Sequence, residues 1–281
     1  MSLKFLIIDI YRKIRTLIDL LLNINLDNEE LKGVLKNKTK VKFKLSYSFN
    51  LPYKNGRTVR GFSFNNNDKD VHSRLCRDFK KGISVNLLSE NLYKSYKTHD
   101  NLSIADFMVE LNESKFKELP LWAIVTPWDS ISIKKNRRFY LNGFYSNRST
   151  HGLTFENFSE SHIESKMHSL EAAKSQVMQH KKLFEIIEKN GYKENFSDLP
   201  TVTILIKNNS WKWQMAHSGN HRAHILYEIG HKSLRCKIST IVNFDNLDKL
   251  KNVRNGDYSL DQAKMFFNRV FEGEYPIRGV T

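Results

Sequence analysis

Residues 211–230 read Trp211-Lys212-Trp213-Gln214-Met215-Ala216-His217-Ser218-Gly219-Asn220-His221-Arg222-Ala223-His224-Ile225-Leu226-Tyr227-Glu228-Ile229-Gly230. Trp211 to Met215 reads as a strand, His221 to Ile229 as a helix, and Gly230 as the stop that ends it. Upstream, Val202 to Ile206 is a short buried strand and Asn208-Asn209 a turn; downstream, Leu234 to Thr240 is a third strand. The order is therefore strand, turn, strand, glycine loop, helix, glycine, strand. Gly219 lets the backbone approach a ligand closely. The helix that follows presents unpaired N–H groups and the positive end of its dipole, where an anion sits well. His221 and Arg222 add donors at the same spot, and an arginine can grip phosphate with two parallel bonds. His217, Ser218, Gly219, Asn220, His221 and Arg222 are thus expected to bind a phosphate group.

Working outward, Ser161-His162-Ile163-Glu164 has the pattern of a capping box opening a long helix. Ile163, Met167, Leu170, Ala173, Val177, Phe184 and Ile187 give that helix an apolar stripe, and Asn190-Gly191 ends it. Ser259 and Gln262 cap a last helix with Ala263, Phe266, Phe267, Val270 and Phe271 on its apolar face and Gly273 at its end. Leu87 to Tyr96 and Ser103 to Leu111 also read as helices, with Ser103 and Asp106 available as caps. Pro120 to Asp129 reads as an apolar strand bounded by prolines. The basic run Lys134 to Arg138 is a solvated face that can also help hold an anion. Nearer the start, Val41, Phe43, Leu45, Tyr47 and Phe49 alternate as in a half-buried strand, Asn55-Gly56 signals a hairpin, and Thr58 to Phe64 returns. At Leu3 to Leu22, Ile7, Ile10, Tyr11, Ile14, Leu17, Ile18 and Leu21 form one helical stripe. Charges at Asp9, Arg12, Lys13, Arg15 and Asp19 argue against a membrane span or a signal-peptide core there. That helix is expected to pack on the domain or on a second subunit.

Composition bounds the partners. The chain of 281 residues carries a formal charge of +15. Such an excess favours anionic partners, nucleic acid and nucleotides among them, although the charge is spread along the chain rather than gathered in one arm. Hydrophobic residues make up 40%, with only 5 prolines and 12 glycines, which is enough apolar material for a core and excludes a long low-complexity tract. Cys76 and Cys236 stand far apart without metal-type spacing, which argues against a disulfide framework or zinc ribbon and suits a cytoplasmic protein.

The run from Val202 to Ser239, with its Gly219-Asn220-His221-Arg222 loop and closing Ile229-Gly230, resembles the core of the ParB/sulfiredoxin-like superfamily. The helix ending at Gly191-Tyr192 fits the helix that precedes that core. The tail Val253 to Ser259, with Trp128 upstream, resembles a branch encoded near bacterial surface-polysaccharide genes. The resemblance implies an α+β fold: a small mixed sheet with flanking helices over 119–281, preceded by an N-terminal helix and β-hairpin region over 1–118. It also implies handling of a nucleotide (ATP, ADP or CTP, with or without Mg2+) and an anionic small molecule as partners. The activity so implied is a phosphotransferase linked to surface-polysaccharide biosynthesis. The alternatives are a nucleic-acid-binding regulator and a non-catalytic assembly protein, with a homodimer as a further expectation. Asn220 stands where a sulfiredoxin has its reactive cysteine, and Ser218 where the serine-kinase branch has an aspartate. The segment after Thr240 is short for a helix-turn-helix domain.

For a transfer reaction, Glu164 is the candidate general base or water-mediated magnesium ligand, and His221 the group that stabilises a moving phosphoryl. Completing the capping box with Ser161 is an equal account of Glu164. His217, His221 and His224 are spaced four and three apart, but His217 precedes the helix across Ser218-Gly219 and no Cys or acid is adjacent, so no metal is expected there. The four tryptophans are expected in the core.

Overall fold

Six strands form one mixed sheet: β1 (Thr39–Lys40), β2 (Tyr47–Pro52), β3 (Gly56–Arg57), β4 (Thr201–Lys207), β5 (Ser210–Met215) and β6 (Ser233–Asn243), in the order β1-β2-β6-β4-β5-β3. The structure, a computed structural model, describes residues 29–36, 39–40, 47–66, 70–99, 102–108, 111, 113–146, 159–192, 199–216 and 218–274. The expected N-terminal helix at 3–22, the start of the first expected strand at 41–46 and His217 lie outside the described residues.

β4 is the centre of the sheet. Val202 to Ile206 are all buried, as a strand covered on both faces requires. It pairs antiparallel with β5 through a tight turn in which Asn208 and Asn209 both take positive φ, 47° and 57°. That is the twist-matched hairpin turn that asparagine tolerates best after glycine. The chain then forms the helix Asn220–Glu228 and returns as β6 on the other side of β4, parallel to it. The β4–β6 register shifts between Val202 and Thr203, and the Ser239 hydroxyl donates to the Val202 carbonyl at 2.9 Å beside the shift.

The expected hairpin around Asn55-Gly56 does not form. β2 pairs antiparallel with β6, and β3 pairs parallel with β5, so the two segments lie on opposite sides of β4. Tyr53–Asn55 is a 3-10 turn, and Gly56 has an ordinary φ of −81°. Glycine is needed at 56 for space: a Cβ there would lie 2.5 Å from the Trp213 ring. Tyr53, Phe64 and Trp213 form an aromatic cluster with ring centroids 5.0–5.8 Å apart, and burying that cluster outweighs the local turn signal.

The chain packs as two compact units. One groups Met1–Asn66, Tyr192–Asn246 and Arg269–Glu274; the other groups Asn67–Gly191, Leu247–Asn268 and Tyr275–Thr281. The division does not fall at 118/119, because β2 and β3 are paired into the sheet with strands from beyond residue 200. In the sheet unit, buried Arg57 donates to the carbonyls of Val270 (2.9 Å) and Phe271 (3.1 Å), satisfying the end of the helix Leu260–Glu272. Burial pushes its guanidinium down to about 10.

In the helical unit, the helices Val71–Lys80, Val85–His99 and Leu170–Asn190 bury Leu75, Leu88, Leu92, Ala173 and Val177 against one another. Asp70 caps the first of them, accepting from the His72 and Ser73 N–H groups. Pro120–Asp129 is not a strand. Leu121–Ala123 is a 3-10 turn, and side chains satisfy the following carbonyls in place of a sheet ladder. Asn136 donates to Ala123 O and Ile124 O, the Tyr258 hydroxyl to Val125 O, and Asn252 to Thr126 O, Asp129 O and Ile131 O. The expected long helix is broken in two. Glu160–Met167 starts without a side-chain cap, and Ser169, in extended conformation, caps Leu170–Asn190 by accepting from the Ala172 N–H at 3.2 Å. Ser161 therefore sits inside a helix and forms no capping box with Glu164. Leu170, expected in the apolar stripe, is 46% exposed. The helix Leu260–Glu272 opens as expected, with the Ser259 and Gln262 N–H groups bonded reciprocally to the two side chains. Among the described residues, no helix is long and apolar enough to cross a membrane.

Candidate functional site

The loop 218–222 belongs to the sheet unit, at the end of β5. Ser218 O accepts from the Thr201 N–H at 3.2 Å, and Thr201 O accepts from the Ala216 N–H at 2.9 Å, so the start of β4 holds both sides of the loop. Gly219 is the N-cap residue, with φ 86° and ψ 12°, and no side chain caps the helix after it. The glycine has two causes. Its left-handed backbone disfavours any Cβ, and a Cβ would lie 2.6 Å from the Pro200 Cα. The close approach that requires glycine here is to the chain's own backbone.

The helix is anchored by its inner face. Ala223, His224, Ile225 and Leu226 are buried. The Tyr53 hydroxyl donates to Ala223 O at 2.7 Å, and the His224 ring lies 5.0 Å from that of Phe64. His224 is thus a core histidine, directed into the aromatic cluster. Burial also pushes the Tyr53 hydroxyl and the Cys236 thiol well up from their ordinary values. Ser218 is exposed, and Asn220, His221 and Arg222 are half-buried. The Arg222 guanidinium makes no ion pair or hydrogen bond with a described residue, and the Asn220 Oδ1 is buried without a hydrogen-bond partner among them. The arrangement therefore offers the uncapped N–H groups of a nine-residue helix, the positive end of its dipole and a guanidinium without a partner among the described residues.

Glu164 belongs to the helical unit. Its carboxylate accepts from Arg137 Nη2 at 2.6 Å, while Arg137 Nη1 lies 3.4 Å from Glu160. Arg137 comes from the basic run, which forms the first half of the helix Ile133–Ser146. Glu164 thus already has a structural partner that no capping signal predicted; a carboxylate and a guanidinium 27 positions apart in sequence carry no local signature. Of the other histidines, His180 is fully buried with Cys76 Sγ 3.2 Å from its Nε2, and His168 lies beside the Tyr96 ring. Trp211, Trp213 and Trp128 are buried, and Trp122 packs against the Leu141 cluster.

The chain matches no protein-family model, and comparison with curated proteins and with solved structures finds no match.

Proposed function

We propose that the loop 218–222 binds the phosphate of a nucleotide, in a domain of the ParB/sulfiredoxin-like kind. The observation that carries the reading is the uncapped start of the helix Asn220–Glu228, with Arg222 beside it making no ion pair or hydrogen bond with a described residue. The chain order suits the reading: β5, loop, helix and β6 are laid around β4, and the loop follows the carboxyl end of β5 beside the first residue of β4. Ser218 and Asn220 contribute backbone and small polar groups, and Arg222 the charge. Glu164 is not needed for this binding, because its pairing with Arg137 accounts for it. Transfer of the phosphoryl to an anionic small molecule, in surface-polysaccharide production, is the activity that best suits this binding. ATP, ADP and CTP, each with and without Mg2+, are the ligands to test by thermal shift. A ligand at a hundred times its Kd stabilises by about 2.7 kcal/mol. One nucleotide is expected to raise Tm, and Arg222→Ala to remove the rise while leaving the unliganded Tm within a degree or so. An equal rise in Arg222→Ala, or no rise with any nucleotide, overturns the reading.

The charge of +15 favours nucleic acid as the second reading. It requires an affinity that falls steeply between low and physiological salt, which nucleotide binding at one loop does not.

A further inference from the structure

An open cleft of about 580 Å3 lies wholly within the helical unit. Its volume is in the range of small-molecule sites, roughly 300–1,000 Å3. Leu102, Leu119, Pro120 and Ile133 supply apolar lining. The floor is held by backbone bonds, from Ile104 N to Leu119 O (2.9 Å) and from Leu121 N to Leu102 O (3.0 Å). Asn136 secures the next turn of the same segment.

Four cations line the cleft, Lys115 and Lys117 from the short helix Ser114–Lys117 and Lys134 and Arg137 from the helix Ile133–Ser146, together with the carboxylates of Glu118 and Glu164. Two of them are occupied, Arg137 by Glu164 and Glu160 and Lys115 by Glu113 at 3.1 Å. Lys117 and Lys134 make no ion pair or hydrogen bond with a described residue. Ile133 and Lys134 are also the first two residues of a fourteen-residue helix, which brings the positive end of its dipole to the same wall. Asp257 lines the cleft as well, and its Oδ2 is buried without a hydrogen-bond partner among the described residues. The residue as a whole is half-buried and lines the cleft, so its carboxylate offers an acceptor suited to a hydroxyl beside the anion.

We propose that this cleft binds a small hydroxyl-bearing phosphate ester, with Lys117 and Lys134 holding the phosphate, Asp257 accepting from a hydroxyl, and the apolar lining covering the carbon frame. The mixed lining makes the ester a better fit than either half. Free phosphate engages only the lysines and the helix start, while a neutral polyol engages only Asp257 and leaves the cations unpaired. The inference does not rest on the nucleotide reading, since the loop 218–222 contributes no residue to it.

Pyridoxal 5′-phosphate is a suitable probe, because its aldehyde condenses with a lysine amine to an imine, releasing water, and borohydride reduces the imine to a stable secondary amine. The full-length protein is labelled, digested and mapped by mass. Lys117 and Lys134 should carry roughly tenfold more label than exposed lysines elsewhere, a preference of about 1.4 kcal/mol. Glycerol 3-phosphate should protect both positions several-fold, inorganic phosphate less, and glycerol not at all. In Asp257→Ala the ester should lose its advantage over inorganic phosphate. Lys117→Gln, at an exposed position that leaves the fold intact, should weaken ester protection of Lys134. Arg222→Ala should leave the labelling pattern unchanged, so failure here and failure of the nucleotide reading are separable. Uniform labelling of exposed lysines, or equal protection by ester and inorganic phosphate, overturns the proposal.

Discussion

Gly219→Ala tests why the loop contains a glycine. An alanine at φ 86° costs about 1–2 kcal/mol for the left-handed backbone alone. Its Cβ would also sit 2.6 Å from the Pro200 Cα, and backbone cannot rotate away as a side chain can. Relieving such an overlap costs about 1–3 kcal/mol. Together these give about 2–5 kcal/mol, a Tm lowered by roughly 3–9 °C in a chain of this size at about 2.1 cal/mol/K per residue. Gly230→Ala is the control: its φ is 98°, but a Cβ there meets nothing within 4 Å, so only the first cost applies. The assay is urea unfolding followed by tryptophan fluorescence, for which Trp211 and Trp213 are buried reporters in the same unit. The expected result is a loss for Gly219→Ala exceeding that for Gly230→Ala by at least about 1 kcal/mol. Equal losses, or a Gly219→Ala protein within about 0.5 kcal/mol of the parent, would refute the packing account and return the glycine to a ligand-contact role.

Arg57→Met should lose about 2–4 kcal/mol, since it strips the donors from Val270 O and Phe271 O at a buried helix end, and Arg57→Lys should rescue little because one ammonium cannot span both carbonyls. Chemical denaturation of the pair checks this; full rescue by lysine would contradict it. Asn252→Asp should be more destabilising than Asn252→Ala at pH 7, because a carboxylate would face the three carbonyls that now accept from the amide, and a Tm order with Ala below Asp would count against that geometry. Cys236, buried and with its thiol pushed well up, should resist iodoacetamide in the folded protein at pH 8–9 and react once unfolded. The linkage has a definite sign. With the folded pKa raised, this group's contribution is intact below the unfolded thiol value and falls above it by up to about 1.4 kcal/mol per pH unit, because only the unfolded chain releases the proton. Peptide mapping that finds Cys236 alkylated in the native state at pH 8 would disprove its burial.

The legible parts of the fold are those governed by short-range chemistry. Val202 to Ile206 as a buried strand, Asn208-Asn209 as its turn, the helix after Gly219 and the Ser259–Gln262 cap are each set by residues within a few positions of one another. The placement of Ser218 to Arg222 at a helix start was legible for the same reason. Signals of equal local strength failed where a distant partner offered more. The turn at Asn55-Gly56 yielded to the ring of Trp213, more than 150 positions away, and the Pro120–Asp129 segment gave up a ladder for carbonyl bonds to Asn136, Tyr258 and Asn252. The cleft was invisible for a related reason: Lys117, Lys134 and Asp257 share no spacing, and only folding sets them around one volume.

By itself the sequence determined the central elements β4, β5 and β6 with their connecting turn and helix, the last helix with its cap, and the glycine at the start of the helix Asn220–Glu228, because φ preferences, caps and hydrophobic periods act locally. The tertiary structure decided which strands β2 and β3 join, how the chain divides into units, and that Gly219 makes room for Pro200. Those outcomes turn on close packing between residues far apart in the chain, where a single Cβ at 2.5–2.6 Å outweighs any local preference.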